Sequence, residues 1–353
     1  MGFKKKKNLV GLDIGTSLIK VAELKKSAKG YVLKKFGTSK VPEGAIQEGA
    51  IYDAKGLSDV IRAMFKSKKI RKKNIAVSTG GDSVVIKTIS VPQASEKELQ
   101  DSIWFEAEQY IPYDLEDVNV DFQILGESED SPEHMNVLLV AVKKDIVADY
   151  IDLVNLAGLN PCVIDVDTFA LQNIYEAVTL EQEGSNKITM LVDIGFSKLS
   201  INILRGKSSL LTRDSSLGVS QIIEEIVSNR ECSVKEAEDI LKGRETGLMS
   251  KPELDSLCLD VFKSWCSEIS SVIQTFQSKS NERDVEKIVL CGGGASIKNF
   301  IQTLSAEAPG IDVTIFNPFD GLKVEDKGLT SEKSLAPLAP IAIGLALRQM
   351  DDK

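Results

Sequence analysis

Two α/β halves of like construction, the first interrupted by a compact insert, are what the sequence predicts, and three observations carry that prediction. The phrase "NLVGLDIGTS" (8–17) returns as "MLVDIGFSKLS" (190–200): an apolar run ends in Asp-Ile-Gly, with a serine two positions after the glycine. Each copy opens a meander of three short strands that gives way to helices. Between the copies, residues 85–160 change character and read as helix, strand, strand and helix able to pack as a unit. The 353 residues suit two domains, on a scale of roughly 100–200 residues each.

The elements follow in order. "NLVGLDIG" and "SLIKVAEL" are β-rich runs joined by a Gly-Thr turn, a hairpin that "YVLKKFGTSKVP" extends by a third strand. Leu57, Ile61, Met64 and Phe65 recur at helical spacing in "AKGLSDVIRAMFKSKK". "NIAVSTGG" and "SVVIKTISVP" read as strands turning at Gly80-Gly81. Ser95 and Glu98 predict a capping box for a helix with Leu99, Ile103, Ala107 and Tyr110 on one stripe, closed by Pro112. The strands "VNVDFQIL" and "NVLLVAVK" flank an acidic, disordered loop at 126–134, and the helix "DIVADYIDLVNLAG" completes the insert. "LNPCVIDVDTFALQNIYEAV" leads by strand and helix into the second half.

There the strands "KITMLVDIG", "KLSINILRG" and "SSLLTRDSS" repeat the meander. The helices "VSQIIEEIVSNRE", "SVKEAEDILKG" and a long one from Pro252 to about Ser280 follow. A strand "KIVLCGGG" opens a helix at "IKNFIQTLSAE", and a strand "DVTIFNP" and a closing helix "LAPLAPIAIGLALRQM" finish the chain. The resulting boundaries are 1–84 for the core of the first half and 85–160 for the insert. A connecting segment spans 161–186, the second half 187–335 with a helical part at about 220–285, and the closing helix 336–353.

Composition excludes several classes. No stretch approaches the roughly 20 apolar residues of a membrane span. The N-terminal lysines run straight into a strand, without the apolar segment of a signal peptide. Lys6 breaks the myristoylation pattern. Cys162, Cys232, Cys258, Cys266 and Cys291 are scattered, never spaced as CxxC, and fit a reducing compartment. The single histidine, His134, sits in a polar stretch and reads as a solvated side chain, which rules out histidine triads and multi-histidine metal sites. Residues 1–90 hold 20 Lys/Arg against 7 Asp/Glu. The cluster "KSKKIRKK" within them reads as a solvated helix end rather than a nucleic-acid surface, because no aromatics interleave with the lysines.

The repeated turn has a chemical reading. A tight hairpin aims backbone N–H groups at an anion, and its glycine clears the approach. Thr16 and Ser17 add hydroxyl donors, while Asp13 and Asp193 suit a hydrated Mg²⁺ that neutralises phosphate. Two such hairpins can grip one nucleotide from both sides. The strand ending in Gly292, Gly293 and Gly294 sets bare backbone before a helix, as a floor for an adenosine. Neither GxGxxG nor GxxxxGK[ST] is present, so dinucleotide and P-loop binding are not predicted.

These motifs resemble those of the actin, sugar-kinase and chaperone ATPase superfamily. "VGLDIGTSLIKVAEL" is similar to its first phosphate motif, "LVDIGFSKLSINIL" to the second and "IVLCGGGASI" to the adenosine motif, with "VIDVDTFAL" and "APIAIGLAL" as the connecting helices. The resemblance runs from residue 8 to 348 and implies an actin-like (ribonuclease H-like) duplicated fold around a nucleotide cleft. The insert's position is similar to that of FtsA, the bacterial division actin. Its words "EAEQYIPYDLEDV" and "DFQIL" resemble the PilM family of type IV pilus assembly proteins. The sequence stops at "LRQMDDK" without FtsA's linker and amphipathic helix, which also favours the PilM family.

The resemblance implies ATP and Mg²⁺ as cofactors. Asp13 and Asp193 would be paired acids around the ion, mostly through water. Gly15, Thr16, Ser17, Gly195, Ser197 and Gly218 would clamp the nucleotide, with Lys20 adding charge. Asp167 would order the attacking water, with Asp165 not separable from it. Gly292, Gly293 and Gly294 would back the adenosine, and Lys235 and Glu238 would flank adenine and ribose, where Lys242 fits the spacing less well. Phe196 departs from the small or hydroxylated residue expected in its turn and leaves turnover open.

The implied partner is a PilN-like inner-membrane protein, bound through its N-terminal tail in a groove for which Trp104, Tyr110, Ile111 and Tyr113 are candidates. Other pilus platform proteins and self-association into a ring are further implied contacts, at the cytoplasmic face of the membrane and without nucleic acid. An FtsA-like filament protein and a small-molecule kinase are the alternatives.

Overall fold

The computed structural model describes residues 9–350 except 29, 48, 129–130, 184–186, 245, 280–283, 327 and 330–332. Apolar runs make the first strands. Every residue of β1 (Val10–Ile14) is buried, and β2 (Leu18–Ser27) and β3 (Gly30–Lys40) fold back on it as a meander. A short ladder of β4 (Ile46–Gln47) and β5 (Ala50–Ile51) precedes α1 (Ala54–Ser67). Asp53 caps α1 by accepting from the Gly56 N–H at 2.8 Å. Leu57, Ile61, Met64 and Phe65 face inward at the predicted spacing. Then come β6 (Asn74–Thr79), β7 (Val84–Pro92), α2 (Glu96–Ala107), β8 (Val118–Glu127), β9 (His134–Lys143), α3 (Lys144–Leu156), β10 (Asn160–Val166) and α4 (Asp167–Glu183).

The second half repeats the start. β11 (Ile188–Ile194), β12 (Leu199–Arg205) and β13 (Ser208–Ser215) form the meander. The rest comprises α5 (Val219–Arg230), α6 (Val234–Leu241), α7 (Lys251–Lys279), β14 (Lys287–Cys291), α8 (Phe300–Glu307), β15 (Asp312–Ile315), β16 (Lys323–Val324) and α9 (Pro340–Leu347). The sheets run β10-β6-β1-β2-β3-β16 and β13-β12-β11-β14-β15, with β7-β9-β8 as a third. In both large sheets an antiparallel meander gains a parallel strand beside its first member, β6 next to β1 and β14 next to β11. This is the actin-like duplicated architecture.

The helices α4 and α9 lie between the two large sheets. Ala170, Leu171, Ile174 and Ile343 share one core with Leu24 of the first sheet and Leu191 of the second. The approach is close enough to demand glycine: a Cβ on Gly11 would overlap the Ala342 carbonyl oxygen, and one on Gly344 the Ala170 carbonyl oxygen. A buried polar chain ties α4 to the second sheet. Gln172 Nε2 donates to the Lys207 carbonyl at 2.8 Å, Asn202 Nδ2 to Gln172 Oε1 at 3.1 Å, and Ser209 Oγ to Asn202 Oδ1 at 2.6 Å.

Several expectations change. The helix α3 does not close the insert's core: Tyr150, Leu153 and Val154 pack with Leu12, Leu57 and Ile61 of the first half. The helix α2 does begin with the Ser95–Glu98 capping box but ends at Ala107. Tyr110 therefore falls in the following turn and is 40% exposed. The span read as a disordered loop at 126–134 is narrower, because Gly126 and Glu127 belong to β8, His134 opens β9, and 129–130 lie outside the described residues. His134 is half-buried, with Nδ1 2.9 Å from Ser131 Oγ, rather than freely solvated. The triple glycine leads into a 3-10 turn, and α8 starts only at Phe300 because Ile297 is extended and Asn299 is left-handed at φ 70°. The lysine tail at 1–7 lies outside the described residues, whereas Lys66, Lys69, Arg71, Lys72 and Lys73 are exposed as expected. Among the described residues no helix is long and apolar enough to cross a membrane.

Candidate functional site

The two Asp-Ile-Gly hairpins share one local geometry. In the first, Asp13 stands opposite Lys20 and the Gly15 N–H donates to the Leu18 carbonyl at 3.1 Å. In the second, Asp193 stands opposite Ser200 and the Gly195 N–H donates to the Lys198 carbonyl at 2.8 Å. Each turn is closed by the same backbone bond, so each presents its tip in the same way. The tips meet, with Thr16 Oγ1 3.0 Å from Ser197 Oγ across 181 residues of sequence.

A cavity of about 1580 Å³ opens beside them. Asp13, Gly15, Thr16, Ser17, Lys20, Asp167, Asp193, Gly195, Ser197, Gly292 and Gly293 all line it. Gly292 sits at φ +83°, and a Cβ there would run into Ile194 and Asp193, so this backbone can lie against the end of β11 only as glycine. Gly293 faces open space, with its nearest would-be neighbour, Leu338 Cδ2, at 3.8 Å.

Five expected residues fall elsewhere. Gly294 packs on Ile194, and its missing side chain serves that contact. Gly218 supports the second hairpin from behind, because a Cβ would press on the Phe196 and Gly195 carbonyls. Lys235 is exposed on α6. Glu238 is drawn to Lys40 at 2.5 Å and Lys242 at 2.8 Å. Lys242, which fits the spacing less well, does line the cavity. Asp165 is buried on the strand β10 beside Arg348 Nε at 3.5 Å, so of the two acids only Asp167 reaches the cavity.

Electrostatics on the cavity floor are tense. Burial pushes Asp13 up to about 6; Lys20 at 3.0 Å pulls it back, and Asp167 and Asp193 push it further. Burial also holds Asp193 above the ordinary carboxylate range despite both lysines. Burial acts on Asp167 in the same sense, but the charge and hydrogen bond of Lys198, with the Ser78 hydroxyl, bring it below the usual value. Burial opposes the charge on Lys20, which Asp13 and Asp193 nevertheless hold above the ordinary range.

Burial and neighbouring carboxylates disfavour the charged forms of both Asp13 and Asp193, so the floor is under-supplied with positive charge. The donors are hard oxygens, which suit a cation such as Mg²⁺. Among the described residues no three His, Cys, Asp or Glu side chains converge as a ready cage, so a cation here would keep water in its shell.

Lys198 and Asp214 are among the cavity residues that escaped sequence reasoning. Lys198, in the turn of the second hairpin, bonds Asp167 at 2.7 Å, and Asp214 on β13 accepts from the Gly81 N–H at 2.6 Å. Lys198 was visible inside a repeated motif, but its partner was not. Tyr150 of α3 also lines the cavity. On the insert, Trp104 is 42% and Phe105 75% exposed, whereas Ile111 is buried in the insert's core and is removed from the groove candidates. Tyr113 is half-buried, and its hydroxyl donates to the Asp82 carbonyl at 2.7 Å.

Comparison with known proteins agrees with this architecture. The family model described as type IV pilus assembly protein PilM matches residues 11–350. A chain of the PilM-PilN type IV pilus biogenesis complex superposes with TM-score 0.86 at 25% identity, covering 98% of this chain and 100% of that one. The ethanolamine utilization protein EutJ of Carboxydothermus hydrogenoformans superposes with TM-score 0.57 at 14% identity, over 97% and 89% of the two chains, a likeness of fold.

Proposed function

The chain belongs to the PilM family of type IV pilus assembly proteins, and from that premise we propose that it is a nucleotide-dependent scaffold at the cytoplasmic face of the inner membrane. In this reading it binds ATP with Mg²⁺ in the cleft and takes the N-terminal tail of a PilN-like membrane protein beside the insert. Other platform proteins and further copies of the chain are additional contacts. The observation that carries the nucleotide part is the meeting of two matched hairpins beside one acid-lined cavity. The partner part is supported by the likeness, over the full length of both chains, to a chain of the PilM-PilN complex.

The residues divide the work by chemistry. The N–H groups and hydroxyls of Gly15, Thr16, Ser17, Gly195 and Ser197 donate to phosphate oxygens from two sides. Lys20 supplies charge from the first hairpin, and Gly292 and Gly293 leave room for the nucleoside. Asp13 and Asp193 would hold a hydrated Mg²⁺, which when bound offsets the phosphate charge. Asp167, which reaches the cavity where Asp165 does not, would orient a water. Trp104, Phe105 and Tyr110 are the exposed aromatic groups of the insert and the first choice for contacts with a tail peptide.

The test is fluorescence anisotropy of a labelled PilN-like tail peptide with the full chain, with and without ATP and Mg²⁺, alongside calorimetric titration of ATP. Peptide binding whose affinity changes with nucleotide is the expected result. Absence of ATP binding overturns the cleft reading, and absence of peptide binding overturns the partner reading.

A further inference from the structure

Lys198 does something the nucleotide reading alone does not require: its ammonium bridges the two halves. Nζ lies 2.7 Å from Asp167 Oδ2, at the start of α4, and 3.8 Å from Asp214 Oδ2 on β13. It occupies a notch that exists because residue 80 is glycine, since a Cβ there would overlap Nζ itself. The next residue, Gly81, ties the same turn to Asp214 through its N–H. The other oxygen of Asp167 accepts from Ser78 Oγ at 2.6 Å. These contacts join the second hairpin and β13 to the β6–β7 turn and α4, closing the cleft at its floor.

The bridge is strong and also exchangeable. Lys198 follows Ser197, whose hydroxyl touches Thr16 of the opposite hairpin, so its stem starts where the two tips converge. Its side chain keeps 23% exposure and lines the cavity. The floor carries four carboxylates (Asp13, Asp167, Asp193 and Asp214) against two lysines. Lys20 pairs with Asp13 at 3.0 Å within its own hairpin and does not join the two halves. A polyphosphate entering here adds negative charge, and Lys198, held on the floor between the halves, is a cation that can answer it by moving.

We propose that Lys198 is a latch sensitive to the terminal phosphate of a nucleoside triphosphate. Without ligand it clasps Asp167 across the cleft; with a triphosphate its ammonium turns to the terminal phosphate and releases Asp167. The proposal rests on the nucleotide reading above. Carboxylate and phosphate oxygens both form charge-assisted bonds with an ammonium, so the exchange swaps one strong partner for another. Asp167, still oriented by Ser78, is left with an oxygen free to accept from water. A diphosphate, one phosphoryl group shorter, leaves the latch closed. The residue that closes the cleft is thus also the one that tells the two nucleotides apart.

The experiment is equilibrium titration of the full chain with fluorescent ATP and ADP analogues in Mg²⁺, for wild type, Lys198→Met and Asp167→Asn. Wild type is expected to prefer the triphosphate. Lys198→Met weakens triphosphate binding on the order of tenfold or more, with diphosphate binding held, as expected for losing one charged hydrogen bond. Asp167→Asn keeps the Ser78 contact, frees the lysine and strengthens triphosphate binding, so it decides the matter even where Lys198→Met fails to fold. Equal losses for both nucleotides, an unchanged preference in Lys198→Met, or weaker triphosphate binding in Asp167→Asn overturns the latch alone. A wild type that binds neither nucleotide overturns the nucleotide reading, and the latch with it.

Discussion

Replacing Asp13 by Asn, in protein free of divalent cation, should remove a specific pH dependence of stability. Asp13 is 5% exposed at the end of β1, and its folded value of about 6 stands above its ordinary 3.8 because burial and two neighbouring carboxylates outweigh Lys20. The folded state therefore holds this proton more tightly than the unfolded chain. Its stabilising contribution is full below 3.8 and is lost as pH rises through about 6. The whole effect amounts to about 3 kcal/mol, of which about 2 kcal/mol falls between roughly pH 4.5 and 7.5. Asn cannot ionise, so the variant lacks this slope. Lys20 keeps Asp193 and Asp167 as neighbouring negative charges in the variant. Urea unfolding of both proteins at four pH values measures the difference in stability. Wild type should lose about 2 kcal/mol relative to Asp13→Asn between the ends of that range. A difference that stays flat to within about 0.5 kcal/mol would refute the reasoning that burial governs this carboxyl.

Further outcomes follow from packing. Gly344→Ala forces a methyl group onto the Ala170 carbonyl and should cost about 3 kcal/mol, read as a lowered urea midpoint. Ile111→Ala, in the insert's core, should cost about 3 kcal/mol. Phe105→Ser, at a 75% exposed position, should stay within about 0.5 kcal/mol of wild type, with a loss of tail-peptide binding read by anisotropy. Burial pushes Cys258 and Cys266 up to about 11 and Cys291 well above the ordinary thiol range, so brief alkylation near pH 8 should label Cys162 and Cys232 in the native protein and all five thiols in urea, as counted by mass spectrometry.

What could be read from sequence was whatever local chemistry decides. The hairpins were legible because a turn's backbone bond depends on residues three apart, and both copies kept the glycine that closes it. The capping box of α2 was legible for the same reason. The allegiance of α3 was not, because its apolar stripe fits the insert and the first half equally well and only the packed structure chooses. Gly294 misled because a glycine needed for packing on Ile194 looks the same in sequence as one needed for a ligand. Lys198 stood in plain view, but a bond to Asp167, 31 residues away, exists only once the two halves face each other. Exposure decided the rest: Trp104 and Ile111 are both apolar and seven residues apart, yet one faces outward and the other is buried.

The contact of Gly344 with Ala170 constrains how this molecule can move. Backbone rests on backbone there, with no flexible side chain between to act as a cushion. Sliding one helix along the other would drive Cα against carbonyl oxygen. Rotation about the contact leaves it intact. The junction of α4 and α9 therefore works as a bearing, and a domain movement in this protein should be a swing about that point that strains the Lys40–Glu238 pair joining the two halves.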